Sequence, residues 1–169
     1  HVMMGAPTFA ADDPRRYALT LLNNIVGGPP MNSRLNMVVR ERHGLVYSID
    51  SFLNSYPDTG FLSLYFGCDA EDVAHCRQLV VRELQRLCDK PLTTAALRTA
   101  KAQICGQIGI SCDNSEAFAV AMAKQYAHFG TQRDMQRIME GIQTVSATEL
   151  QDMARTIYDP DGLYTLIYR

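Results

Sequence analysis

Gly27-Gly28-Pro29-Pro30-Met31-Asn32-Ser33-Arg34-Leu35-Asn36-Met37-Val38-Val39-Arg40-Glu41-Arg42-His43-Gly44-Leu45-Val46-Tyr47-Ser48 is the stretch on which the reading of this chain turns. The paired glycines end a preceding helix, and the prolines prevent it from resuming, because Pro lacks the N–H a helix interior needs. A second helix is predicted over residues 32–43, with Leu35, Val38 and Val39 on one side. At roughly 100° per residue, Arg40 lies about 140° from Leu35, away from that stripe and near Ser33 and Asn36. Gly44 is the stop. A strand follows over residues 45–54, in which Leu45, Tyr47, Ile49, Ser51 and Leu53 share a face. Taken singly, Arg40 reads as a solvent-facing helix arginine and Tyr47 as a core-facing strand residue.

Upstream, residues 1–5 read as a short strand. Asp13-Pro14 opens a helix, Asp as N-cap and Pro at the first helical position, with Tyr17, Leu21, Leu22, Ile25 and Val26 on its apolar face. Downstream, residues 55–60 form a turn into a strand over 61–68 that buries Leu62, Leu64 and Phe66. Asp69 caps a helix with Val73, Cys76, Val80, Leu84 and Leu87 inward, broken at residues 88–91. Leu97, Ala100, Ile104 and Ile108 mark another helix. Asp113 or Asn114 starts a third, with Phe118, Met122, Tyr126 and Phe129, closed by Gly130. Met135, Ile138, Met139 and Ile142 mark a shorter helix. Ser146-Ala147-Thr148-Glu149 has the capping-box pattern, and Leu150, Met153, Ala154 and Ile157 follow at helical spacing. A turn over residues 159–162 leads to a closing strand over 163–168. The order β-α-α-β-β-α-α-α-α-α-β favours a two-layer α+β fold with a mainly antiparallel sheet of about four strands, the two terminal strands joining the central hairpin.

Composition narrows the function. The 169 residues suit a single domain spanning 1–169 and need no disulfide or metal to fold. A net charge of -2 argues against nucleic acid, which needs a concentrated basic face. The cluster Arg34, Arg40 and Arg42, with Glu41 among them, reads as a solvated helix face. No apolar run approaches the ~20 residues that cross a bilayer, so no membrane partner is expected. The start His-Val-Met-Met-Gly carries no signal-peptide pattern and reads as a fragment cut from a longer protein. Five cysteines, odd in number and without C-x-x-C spacing, read as reduced and mostly buried thiols. That favours the cytoplasm, with periplasm or an organelle left open by the missing N-terminus. Most of the eight methionines fall at core spacing.

No metal site is expected in this chain. None of His1, His43, His75 and His128 forms H-E-x-x-H or H-x-x-E-H with a glutamate. They read as surface or helix-end residues. There is no G-x-S-x-G elbow, and prolines at 29 and 30 remove N–H donors that a phosphate loop would need.

The opening stretch resembles the C-terminal-type domain of the pitrilysin, insulin-degrading-enzyme and mitochondrial-processing-peptidase family of inverted-zincin metallopeptidases. The shared positions are Gly27, Gly28, Ser33, Arg34, Leu35, Arg40, Glu41, Gly44, Leu45, Tyr47 and Ser48, with Arg42 where the family has lysine. The likeness runs more loosely along almost the whole chain. It implies a processing-peptidase-like fold and a division of labour. One domain, absent from this chain, carries H-x-x-E-H and binds Zn2+. The facing domain supplies an arginine and a tyrosine seven positions apart, roles that fall on Arg40 and Tyr47. Attack by zinc-activated water places negative charge on the peptide carbonyl oxygen, which a phenol and a guanidinium would stabilise. The resemblance implies a zinc endopeptidase acting on peptides or unfolded polypeptides in a chamber formed with a zinc-bearing domain. That domain would lie in cis or in a partner subunit, with dimerisation open. This chain alone would be inactive. The alternative is a structural or assembly subunit of the same fold.

Overall fold

The computed structural model describes residues 1–132, 134–159 and 161–168. Its elements are β1 (Val2–Thr8), α1 (Arg16–Gly27), a π-helix (Asn36–Arg42), β2 (Ile49–Ser55), β3 (Gly60–Phe66), α2 (Val73–Asp89), α3 (Thr94–Cys112), α4 (Ser115–Phe129), α5 (Met135–Thr144), α6 (Ala147–Ile157) and β4 (Tyr164–Ile167). The predicted α+β order holds. The strands form one antiparallel sheet in the order β2-β3-β1-β4, so both terminal strands do join the central hairpin.

Alternation along the strands creates one inner face. Val2, Met4 and Ala6 of β1, Leu62, Leu64 and Phe66 of β3, and Ile49 of β2 are buried there. The register puts Phe66 opposite both Val2 and Ile49. Helix α1 covers β2 and packs on α6, which also meets α2. The capping box forms in full: Ser146 Oγ accepts the Glu149 N–H at 3.1 Å, and Glu149 Oε2 accepts the Ser146 N–H at 2.7 Å. All four predicted apolar residues of α6 are buried.

Several local expectations need correction. Asp13 does not cap α1 directly. Its carboxylate accepts the Arg15 N–H at 2.8 Å and its carbonyl the Arg16 N–H at 3.0 Å, a tight turn that delays the helix to Arg16. Asp69 likewise opens a turn, its carbonyl accepting the Asp72 N–H, before α2 starts at Val73. Helix α4 buries no residue, although Asn114 caps it and Gly130 ends it in the left-handed conformation as expected. Of the methionines, Met4 and Met153 are buried, whereas Met3 and Met31 are exposed. Pro160 of the predicted turn lies outside the described residues, but Gly162 N–H does close on the Asp159 carbonyl at 2.9 Å.

All five thiols are free; Cys76 and Cys88 are buried, and Cys68, Cys105 and Cys112 are half-buried. Burial, with Cys68 nearby as a lesser cause, pushes the Cys76 thiol from 9.0 up to about 12. Burial also raises Cys88. Both thiols are therefore disfavoured as thiolates in the folded protein. Brief iodoacetamide treatment at pH 8 is expected to leave Cys76 and Cys88 unmodified by mass spectrometry until the chain is unfolded. A raised thiol pKa contributes stability that is present below pH 9 and is lost as pH climbs from 9 toward about 12.

Candidate functional site

The quoted stretch folds as a brace between α1, α2 and the edge of the sheet. At its start, Gly27 ends α1 against β2. A Cβ on Gly27 would lie 2.8 Å from the Ser51 Cβ and 2.9 Å from the Ser51 backbone N. Beside this contact, Ser51 Oγ donates to Asn23 Oδ1 at 2.5 Å and Asn23 returns a bond to the Ser51 carbonyl at 3.3 Å. Gly27→Ala is expected to destabilise the chain by about 1–3 kcal/mol through overpacking, read as a lower urea midpoint.

The second helix is not an α-helix. Over Asn36–Arg42 it widens to the π form, which bonds five residues apart and turns less per residue. The α-helical angle used to place Arg40 does not apply here. Ser33, Leu35, Asn36 and Val39 are all buried. The Asn36 amide donates to Ser33 Oγ at 2.9 Å and to the Ile49 carbonyl at 3.2 Å, tying the helix to the first residue of β2. Gly44, at φ 65°, then ends the helix as predicted. Its N–H donates to the Arg40 carbonyl at 2.9 Å, and the Leu45 N–H donates to the Val39 carbonyl at 3.2 Å. Each bond spans one residue more than in the usual glycine cap of an α-helix, matching the wider turn above.

Residues 45–48 are not strand. The strand starts at Ile49, where the Asn36 amide has taken the carbonyl. Val46 and Ile49 are buried on either side, and Tyr47 between them is 91% exposed. The expectation that Tyr47 alternates into the core with Leu45 and Ile49 is therefore wrong. Arg40 sits in the last turn of the π-helix, its side chain 34% exposed and only loosely paired with Glu41 at 3.8 Å. The site thus presents a permanently charged five-donor fork and a phenol on the two sides of Gly44.

Arg34 is not part of a solvated basic face. Its Nη1 lies 2.9 Å from Glu83 Oε1, and Arg86 Nη1 lies 2.8 Å from Glu83 Oε2. Glu83 itself is 5% exposed. The sequence reading missed Glu83, although a signal was present: it falls seven residues after Cys76, on the inward face of α2. His43, His75 and His128 are exposed, as read. His43 Nδ1 bonds the Val38 carbonyl at 2.6 Å, and its ring meets His75 edge-on at 5.8 Å. Among the described residues no three His, Cys, Asp or Glu side chains group in a way that could hold a metal ion. Nor is any described helix long and apolar enough to cross a membrane.

The chain is 29% identical over 157 residues to an uncharacterised zinc protease of Streptomyces coelicolor, covering 93% of this chain and 34% of that protein. It is 33% identical over 138 residues to the mitochondrial-processing peptidase subunit beta of Neurospora crassa, covering 79% of this chain and 28% of that one. The fold matches a crystal structure of a peptidase M16 inactive domain from Pseudomonas fluorescens with a TM-score of 0.83 at 22% identity, over 97% of this chain and 39% of that chain. The chain therefore spans about a third of the length of these relatives. The family model of the peptidase M16 inactive domain matches residues 1–104, well over half of the 169, and the chain belongs to that family.

Proposed function

We propose that this chain is the zinc-free, substrate-gripping domain of a zinc endopeptidase, with Arg40 and Tyr47 touching the peptide. The observation that carries the reading is Tyr47: an aromatic residue at a position whose pattern calls for burial stands 91% exposed, on a loop anchored by buried Val46 and Ile49. Exposure of a large aromatic at a rigid point costs the fold packing and is consistent with a contact made elsewhere. The names of the relatives as zinc proteases and as a processing peptidase subunit support the reaction class.

Among the described residues no three His, Cys, Asp or Glu side chains group in a way that could hold a zinc ion, and on this reading the metal lies in another domain, of the same polypeptide or of a partner subunit. The part played here is binding and electrostatics. Both side chains are hydrogen-bond donors. Directed at a peptide carbonyl, they would hold the backbone and strengthen their bonds as that oxygen gains negative charge. A preorganised donor gains most where charge develops during reaction, so these residues act more on the transition state than on the bound peptide.

The test is peptide cleavage by the full-length protein with and without a chelator, beside residues 1–169 alone. Chelator-sensitive cleavage by the full-length protein only, with no stoichiometric zinc on residues 1–169, is the expected result. Chelator-sensitive proteolysis by residues 1–169 alone would overturn the reading. No cleavage by the full-length protein would turn it toward an assembly subunit.

A further inference from the structure

Glu83 is the one buried acid among the buried polar residues of the described chain, and it lies on α2, outside the quoted stretch. Its two carboxylate oxygens are each taken by a guanidinium. Arg86 comes from the next turn of the same helix, at i+3, and would be near Glu83 in any case. Arg34 comes from 49 residues away, two residues before the start of the π-helix at Asn36, across a 2.9 Å contact. A carboxylate taken out of water is costly, and well-packed apolar residues often serve stability as well or better. The neighbouring inward positions of α2, Val80, Leu84 and Leu87, are apolar and would have accepted another such residue. What the charge supplies that an apolar side chain cannot is direction: it fixes where the Arg34 guanidinium, and hence the entrance to the π-helix, must lie.

That entrance matters because a π-helix can revert to the tighter α form by slipping its hydrogen bonds by one residue. A slip of one residue turns the side chains beyond it by on the order of 100°. Arg40 would swing with it. Tyr47 would be disturbed too, since the loop that carries it is closed by Leu45 N–H on the Val39 carbonyl. The Asn36 amide holds the sheet side of the helix, through the Ile49 carbonyl. Arg34 on Glu83 holds the α2 side. We propose that Glu83, through Arg34, is a positioning residue that locks residues 36–42 in the π form and so sets the stance of Arg40 and Tyr47. The functional consequence rests on the peptide-contact reading of those two residues; the structural consequence does not.

The experiment uses the full-length protein with Glu83→Gln, Glu83→Asp, Tyr47→Phe, the Arg40→Ala/Tyr47→Phe pair, and Glu83→Gln added to that pair. Positioning predicts that Glu83→Gln lowers kcat about ten-fold with a smaller change in KM, and that Glu83→Asp restores part of the loss. It also predicts coupling: on the Arg40→Ala/Tyr47→Phe background, Glu83→Gln costs no more than about two-fold, because both groups it aims are already gone. Equal fold losses on both backgrounds would overturn the proposal. Hydrogen exchange on folded Glu83→Gln separates this from the peptide-contact reading. A rise in exchange larger at residues 36–48 than at α6 and β1 supports positioning even if Tyr47→Phe proves fully active, a result that would sink only the peptide-contact reading. Unchanged exchange at residues 36–48, or a rise there no larger than at α6 and β1, would overturn the positioning role.

Discussion

Arg34→Ala is expected to destabilise the fold by about 3 kcal/mol, the lower end of the range for breaking a buried ion pair. The cost arises mainly from what is left behind. Glu83, 5% exposed, would keep only Arg86, whose side chain is 52% exposed and can hold one oxygen. The other oxygen would be buried without a partner. For a chain of this size that corresponds to a fall in Tm of roughly 6–12 °C. The control is removal of both charges. Arg34→Met with Glu83→Leu replaces the pair by apolar side chains of similar volume and is expected to recover most of the loss. Thermal and urea denaturation of the three proteins check this. Equal midpoints for wild type and Arg34→Ala would show that the pair is not desolvated as the structure has it.

Tyr47→Phe and Arg40→Ala are expected to do the reverse, leaving stability within about 0.5 kcal/mol while lowering activity. Tyr47→Phe removes one hydroxyl from a side chain already in water, so the fold loses no buried contact. Arg40 is half-exposed and its pairing with Glu41 at 3.8 Å is a surface interaction of small worth. For peptide cleavage by the full-length protein, each change is expected to lower kcat/KM by about 10-fold or more, ~1.4 kcal/mol of transition-state stabilisation. The upper bound is the loss of about 10²–10³ seen when a donor to a developing oxyanion is removed. Arg40→Lys is expected to rescue little, because a point charge does not reproduce a planar fork.

The contrast between these two predictions follows the line between what was readable in the sequence and what was not. The element order, the four-stranded antiparallel sheet and the capping box of α6 were legible, because each rests on a local signal. Alternation set the inner face of β3, and Ser146 with Glu149 set the start of α6 without help from distant residues. Gly44 was legible for the same reason: a left-handed stop asks for glycine wherever it falls.

The site was legible only in part. Arg40 and Tyr47 were picked out by their setting in a longer motif, while their individual patterns pointed to a plain surface arginine and a core tyrosine. The core expectation failed because residues 45–48 leave the strand pattern before Ile49. Nothing in the side-chain alternation marks where the Asn36 amide intercepts the Ile49 carbonyl. The π-helix was hidden for a similar reason. Leu35, Val38 and Val39 fit an α-helical stripe, whereas the contacts that brace the helix, to Glu83 and Ile49, come from residues outside it. Arg34 was misread as solvated because its partner lies 49 residues away.

The most direct test of the central claim is whether position 47 touches the substrate. Tyr47→benzoylphenylalanine in zinc-stripped full-length protein, illuminated with a labelled peptide that the active protein cleaves, reads the contact without turnover. The account predicts a covalent protein–peptide adduct at position 47 that excess unlabelled peptide suppresses. The absence of any adduct while the peptide still binds, or an adduct indifferent to competitor, would contradict it.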